Sequence, residues 1–237
     1  MIAFHIDFNY VDFAELYLMS IAKNAPGEKI YLSSMNVSAP HIERLKSLND
    51  NLVIDNKWIL DTNGVRWRQY MQCRITKVLL DVYELAEDGE ICIVTDADML
   101  LRKPLGEIYE LMKNVDMMLK FDDEHLTAGE IQNGVIVFRK TPEVYDFLYY
   151  YNKLWDGKVE YRDDQRQLHK AWQKFRYKIR IDDLPHDYVD GDFQDSHIWS
   201  AHKGNRFNNY NKFRKEMGLP ELEKCPNPSW VGIGDGS

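Results

Sequence analysis

Two carboxylates two positions apart, Asp96 and Asp98, sit directly behind an apolar run, Ile91-Cys92-Ile93-Val94. In extended backbone, residues i and i+2 point the same way, so both acids can turn toward one point at the end of that run. Hard oxygen ligands in a small cluster suit Mg²⁺ or Mn²⁺, with phosphate oxygens completing the shell. The competing explanation of an Asp-x-Asp is a turn with solvated acids. The buried-looking strand before it, and Pro104 where a helix would begin soon after, weigh against that. Two stretches lack acids altogether. Residues 62–80 carry Arg66, Arg68, Arg74 and Lys77, and residues 196–215 carry Lys203, Arg206, Lys212, Arg214, Lys215 and two histidines. Lys+Arg number 30 against 38 Asp+Glu, a net charge of −8. Two basic segments on an acidic chain point to a local anion site, with solvated faces as the alternative. Arg74 and Lys77, three apart on a helix, can reach one anion together.

Positioning these residues falls to an alternation of strands and helices. Short apolar runs predict strands over 2–7, 29–33, 52–55, 90–95, 115–121, 132–138, 178–181 and 197–201. Helical periodicity predicts helices over 11–23, 40–48, 66–86, 104–113, 142–155 and 163–175. In the longest, Met71, Ile75, Val78, Val82 and Leu85 mark one apolar face, and Asp88-Gly89 stops it. Asp61-Thr62-Asn63-Gly64 is a turn, and residues from Cys225 onward, rich in Gly and Pro, read as irregular. The alternation argues an α/β fold with a mostly parallel central sheet flanked by helices, in which ligands sit at the carboxyl ends of the strands. Asp96 and Asp98 fall at such an end.

Composition narrows the function classes. The chain has 237 residues, enough for one sizeable core, and its 44% apolar and 29% charged residues are ordinary for a globular protein. No aliphatic run approaches the roughly 20 residues of a membrane helix. The start shows no secretory pattern, since Asp7 interrupts the apolar run and the first basic residue is Lys23. Cys73, Cys92 and Cys225 form no CxxC pair, so a disulfide scaffold or thiolate zinc site is not expected and a reducing, cytoplasmic setting is.

The Asp-x-Asp context resembles nucleotide-sugar-dependent glycosyltransferases of the GT-A fold, above all the group containing glycogenin and the bacterial lipooligosaccharide galactosyltransferases. The resemblance covers about residues 1–205, with 1–224 expected as the single GT-A domain and 225–237 as a tail. Phe4-His5-Ile6-Asp7-Phe8-Asn9-Tyr10 is similar to the strand and loop that hold the nucleobase, which implies donor contacts from Asp7 and Tyr10. The helix segment 69–77 is similar to one supplying basic contacts to the donor, here Arg74 and Lys77. Gln132-Asn133-Gly134-Val135 resembles the strand lining the donor-sugar pocket, which implicates Asn133 and Gly134. Asp163-Asp164-Gln165 resembles the acid–Gln pair beside the reacting centre. The resemblance implies that His202 completes a metal site with Asp96 and Asp98. The glycine after His202 comes one residue earlier than in the resembled pattern, and no lysine stands at the usual later position, so Lys203 or Arg206 would hold the diphosphate. Asp123 is the other acid near the expected centre. Structural alternatives stand beside each: a core histidine, a hairpin turn at Asn133-Gly134, helix-initiating acids at 163–164, and core roles for Phe8, Tyr10 and Trp67.

The expected function is metal-dependent transfer of a sugar from a nucleotide diphosphate, UDP by default, to a hydroxyl, with retention as in the resembled group. Asp164 with Gln165 would then position the sugar or stabilise charge. A sugar nucleotidyltransferase would need a Gly-rich loop after the first strand, and Asp7-Phe8-Asn9-Tyr10-Val11 has none. A non-catalytic nucleotide-sugar-binding module remains the other alternative. A glycoside hydrolase needs neither the histidine nor the basic segments. The acceptor is open among a glycan, a lipid-linked sugar, a protein side chain and a modified DNA base. The charge of −8 disfavours the last, although the basic stretch 203–215 keeps it possible.

Overall fold

The computed structural model describes residues 1–59, 64–121, 131–155, 163–185, 188–190, 195–200 and 206–227. Strand β1 (Ile2–Asp7) alternates in the way a strand with two covered faces must. Ile2, Phe4 and Ile6 enter one apolar layer and Ala3 the other. Around β1 lie β2 (Ile30–Met35), β3 (Leu52–Lys57), β4 (Ile91–Thr95), β6 (Met117–Phe121), β7 (Ile131–Arg139) and β8 (Ile181–Asp183), in the order β3-β2-β1-β4-β7-β6-β8. The chain winds outward from β1 to β3, then returns to lay β4 on the opposite side of β1. The gap between the ends of β1 and β4 is therefore the switch point of the sheet, where such folds form a ligand crevice.

Strands β1 to β4 and the β6–β8 pair are parallel, whereas β7 runs antiparallel to both β4 and β6. Helices α1 (Val11–Asn24), α2 (Ala39–Lys46) and α4 (Gly106–Leu111) belong with one face. Helices α3 (Gly64–Leu85), α5 (Pro142–Lys153) and α6 (Asp163–Phe175) belong with the other. Thr141 starts α5 by accepting a hydrogen bond from the Val144 amide, with Pro142 at the first turn. Gly89, at φ 79°, turns the chain after α3 into β4.

Several expected boundaries shift. The helix expected at 104–113 is α4 followed by a single 3₁₀ turn, Met112–Asn114, and Pro104 stands two residues before it. The strand expected at 178–181 lies at Ile181–Asp183. The strand expected at 197–201 is β10 (Ile198–Ser200), but the second sheet it forms with β5 (Met99–Leu101) and β9 (Val189–Asp190), and helix α7 (Arg206–Glu216), were not foreseen. Phe213 and Tyr210 of α7 pack with Phe13, Leu16, Leu100 and Trp199, a third apolar cluster that ties α7 to α1 and β5. Fully burying each such ring or aliphatic chain is worth about 1.5–3 kcal/mol. Cys225 joins this cluster, and the Asn227 amide donates to the Asn9 carbonyl at 2.7 Å, so the chain runs back toward the end of β1. Among the described residues no helix is long and apolar enough to cross a membrane.

Candidate active site

At the carboxyl end of β4 the chain leaves the sheet through Asp96-Ala97-Asp98 and immediately enters β5. The Asp96 amide donates to the Gly134 carbonyl at 2.9 Å, which pins the turn to β7. Asp96, Asp98 and Met99 form one wall of a cavity of about 150 Å³. Lys120, Gln132, Asn133, Gly134, Gln165 and Ser200 also line it.

A bulge shapes the cavity floor. On β6, Leu119 pairs with Ile136 and the next residue, Lys120, pairs with Gln132, so Asn133, Gly134 and Val135 have no partner there. Bulges re-aim side chains in this way. The Asn133 side-chain amide donates to the Asp164 carboxylate at the start of α6. Asn133-Gly134 therefore lies inside a strand and is not a hairpin turn. Space at Gly134 is tight. A Cβ there would stand 3.3 Å from Asp96 Oδ2 and 3.1 Å from the Met99 methyl.

The electrostatics are those of crowded acids. Burial pushes the Asp96 carboxyl well above the usual range, Asp98 and then Asp164 push it further, and Arg206 opposes them. Burial also raises Asp164, against the Gln165 amide and Asn133, which stabilise its charge. The Tyr151 hydroxyl donates to the Asp164 carbonyl at 3.0 Å and fixes the start of α6. Gln165, one residue on, lines the cavity, while Asp164 stands behind it and holds Asn133.

Arg206, first residue of α7, lies over the Tyr10 ring at 4.9 Å. Burial raises the Tyr10 hydroxyl, Asp98 raises it further, and Arg206 works the other way. Tyr10, Arg206 and the two acids thus share one electrostatic neighbourhood. Asp7, at the end of β1, is buried; its carboxylate accepts from the Trp67 indole at 2.7 Å and the Asn9 amide at 2.8 Å. Phe8, Trp67 and Tyr70 form an aromatic row beside it, with ring centroids 6.5 and 6.1 Å apart.

Arg74 and Lys77 are held elsewhere, and neither lines the cavity. Arg74 is buried under β2 and β3, where its guanidinium donates to Ser33 Oγ at 2.6 Å and approaches Asp81 at 3.6 Å and Asp55 at 3.9 Å. Lys77 is half-exposed and pairs with Asp81 one helical turn away. Both residues thus have intramolecular partners and stand apart from the cavity that Asp96 and Asp98 line. Asp123, His202 and Lys203 lie outside the described residues.

Asp96 and Asp98 are hard oxygen ligands of the kind a divalent cation takes, and Asp96 sits where burial, and then Asp98, penalise its charge. Among the described residues there is no group of three His, Cys, Asp or Glu arranged to hold a metal. Ser200, which pairs with Met99, brings the chain to the cavity wall two residues before His202.

Lys120 was not anticipated. Its signal was a lone lysine inside the apolar run Met117-Met118-Leu119-Lys120-Phe121. Gln132 belongs to the stretch expected to line the donor-sugar pocket, while Ser200, also in the lining, carried no separable signal.

Solved glycosyltransferase structures share this mixed sheet and its flanking helices. The bifunctional glycosyltransferase WbbM superposes with a TM-score of 0.64 at 15% identity, over 91% of this chain and 49% of that one. The galactosyltransferase LgtC, in complex with donor and acceptor sugar analogs, gives 0.62 at 12% identity over 98% and 99%. GlyE from Streptococcus pneumoniae TIGR4 gives 0.61 at 12% identity over 91% and 59%. The chain thus spans about half the length of WbbM and nearly all of LgtC. It has the GT-A fold, as expected from the resemblance. No family model and no curated protein matches the sequence.

Proposed function

We propose that this chain is a metal-dependent glycosyltransferase that moves a sugar from a nucleotide diphosphate, UDP by default, to a hydroxyl acceptor. The observation that carries the reading is the convergence of Asp96, Asp98, Asn133 and Gln165 on one cavity at the carboxyl end of β4 in a GT-A sheet. Asp96 and Asp98, with His202 as a third ligand, would hold Mn²⁺ or Mg²⁺. The bound ion would neutralise charge on the departing diphosphate. Arg206, already facing Asp96 and stacked on Tyr10, adds positive charge on the same side.

In the reaction the bond from the anomeric carbon to the β-phosphate oxygen breaks. The acceptor oxygen bonds that carbon, and its proton passes to the diphosphate or a nearby base. Retention requires attack on the face the diphosphate leaves. Gln165 lies in the lining, where its amide can steady the sugar and the charge developing on it. Asp164 acts one step back, by orienting Asn133.

A thermal-shift and donor-hydrolysis panel of nucleotide sugars, with and without Mn²⁺, tests the reading. A donor at 100 times its Kd adds about 2.7 kcal/mol of stability. Identical melting curves for UDP alone and UDP with Mn²⁺, across the panel, would overturn it.

A further inference from the structure

Lys120 is 4% exposed and lines the cavity from β6. Its ammonium has three N–H donors. Among the described residues its one hydrogen bond is to the Leu184 carbonyl, at 3.3 Å, and it has no ion pair. It is also the one cation among the described residues that line the cavity. A charge taken out of water and left with a single neutral acceptor is costly unless an anion joins it.

The strand order says where that anion would be. Asp96 follows β4, Asn133 and Gly134 lie on β7, and Lys120 is on β6. Strands are spaced about 4.8 Å apart, so Lys120 stands two spacings, about 10 Å, across the sheet from the Asp96 end. A sugar whose diphosphate is held at Asp96 and Asp98 lays its ring over β7, where Gly134 leaves room. Its edge opposite the anomeric carbon, carrying C-4 and C-6, then reaches β6. Gln132, Asn133 and Gln165 are neutral amides suited to sugar hydroxyls. Lys120 is different, because a hydroxyl would leave its charge uncompensated.

We propose that Lys120 selects a donor sugar bearing a carboxylate, a hexuronate linked to the nucleotide diphosphate. This rests on the donor-site reading above and names the substrate class of that site. Lys120 is a specificity-determining residue: it meets the carboxylate through a charge-assisted hydrogen bond, which is stronger than a neutral one.

The test is calorimetric titration of the full chain in Mn²⁺, without acceptor, using UDP, UDP-glucose, UDP-glucuronate, UDP-galactose and UDP-galacturonate. Affinity for UDP is the reference, and its absence would overturn the donor reading and this inference with it. Where UDP binds, at least one uronate should bind at least tenfold more tightly than its neutral hexose. Lys120→Met should bring that ratio to within about twofold, and Lys120→Arg, which keeps the charge, should retain part of it. Equal or tighter binding of both neutral hexoses by the unaltered protein would overturn the inference while leaving the donor reading intact. A uronate preference that survives Lys120→Met would overturn it as well. Because no acceptor is present, a preference seen here belongs to the donor and not to an acidic acceptor. Should Lys120→Met fail to fold, Lys120→Gln and the ratio in the unaltered protein carry the same decision.

Discussion

Replacing His5 with glutamine should change how stability responds to acid. His5, in the middle of β1, hydrogen-bonds the Met71 backbone of α3, and its Nδ1 is buried without a partner among the described residues. Burial, and then the Arg74 guanidinium, lower its pKa from 6.5 to about 4. Asp55, Asp81 and Tyr31 surround the same guanidinium. A histidine with a lowered pKa is neutral in the fold and charges more readily when unfolded. Between about pH 6.5 and 4 the unfolded chain therefore binds the extra proton, and stability falls as pH falls through that window. Above it the contribution is complete. From pH 7.5 to 5.0 the linkage relation gives a loss of about 2 kcal/mol from this ring alone. Other groups titrate over the same range, so the quantity to read is the difference between the natural chain and His5→Gln. Urea unfolding of both at the two pH values should show that difference moving by about 2 kcal/mol in favour of the variant at low pH. A movement under ~0.5 kcal/mol would refute the claim that burial and Arg74 hold the ring neutral.

Arg206→Ala should weaken UDP binding in Mn²⁺ by roughly 10- to 150-fold in calorimetry, the loss of one charge-assisted hydrogen bond; an unchanged affinity would remove Arg206 from the donor site. Asp98→Asn should abolish transfer while the melting temperature holds or rises, since it relieves repulsion with Asp96; near-natural turnover at saturating Mn²⁺ would sink the metal assignment. Arg74→Ala should cost about 3 kcal/mol because it empties a buried guanidinium site and removes the partner of Ser33 Oγ and Asp81 Oδ2, whereas Lys77→Ala should cost less than ~0.5 kcal/mol, both read by denaturant melts. Equal costs for the two would mean that the buried row under β2 and β3 is not holding α3.

The sheet was legible because its strands are short apolar runs and its helices carry long periodic faces, as in 90–95 and 66–86. Strand direction was not. A residue run cannot show its own orientation, and β7 reverses the parallel expectation. The cue was the connection 122–130 between β6 and β7, which is shorter than the dozen or more residues that a parallel crossover needs. Helix α7 escaped for a different reason. Its segment Arg206-Phe207-Asn208-Asn209-Tyr210-Asn211-Lys212-Phe213 has only Tyr210 and Phe213 as buried apolar anchors, too few to set a period. Strand β5 is three residues long and follows the Asp-x-Asp turn without a break, so nothing marks where it starts.

At the site the sequence was readable where spacing alone dictates geometry and opaque where partners come from distant strands. Asp96 and Asp98 are two residues apart, directly after the end of β4, so a short local turn suffices to bring them to one wall. Arg74 and Lys77 share a helix and lie three residues apart, yet one side chain is 4% exposed and the other 52%. What separates them is a polar row across three strands, His5 beside Ser33 beside Asp55, that exists only once β1, β2 and β3 are in register. That row gives α3 a second, polar contact alongside its apolar stripe, so a basic residue off the stripe need not face solvent or ligand. The same argument runs in reverse for Lys120. Its neighbours in sequence are apolar and mark it as strand. It is the packing of β6 against the β7 bulge at 133–135 that makes a lysine in an apolar run a charge at the wall of the cavity.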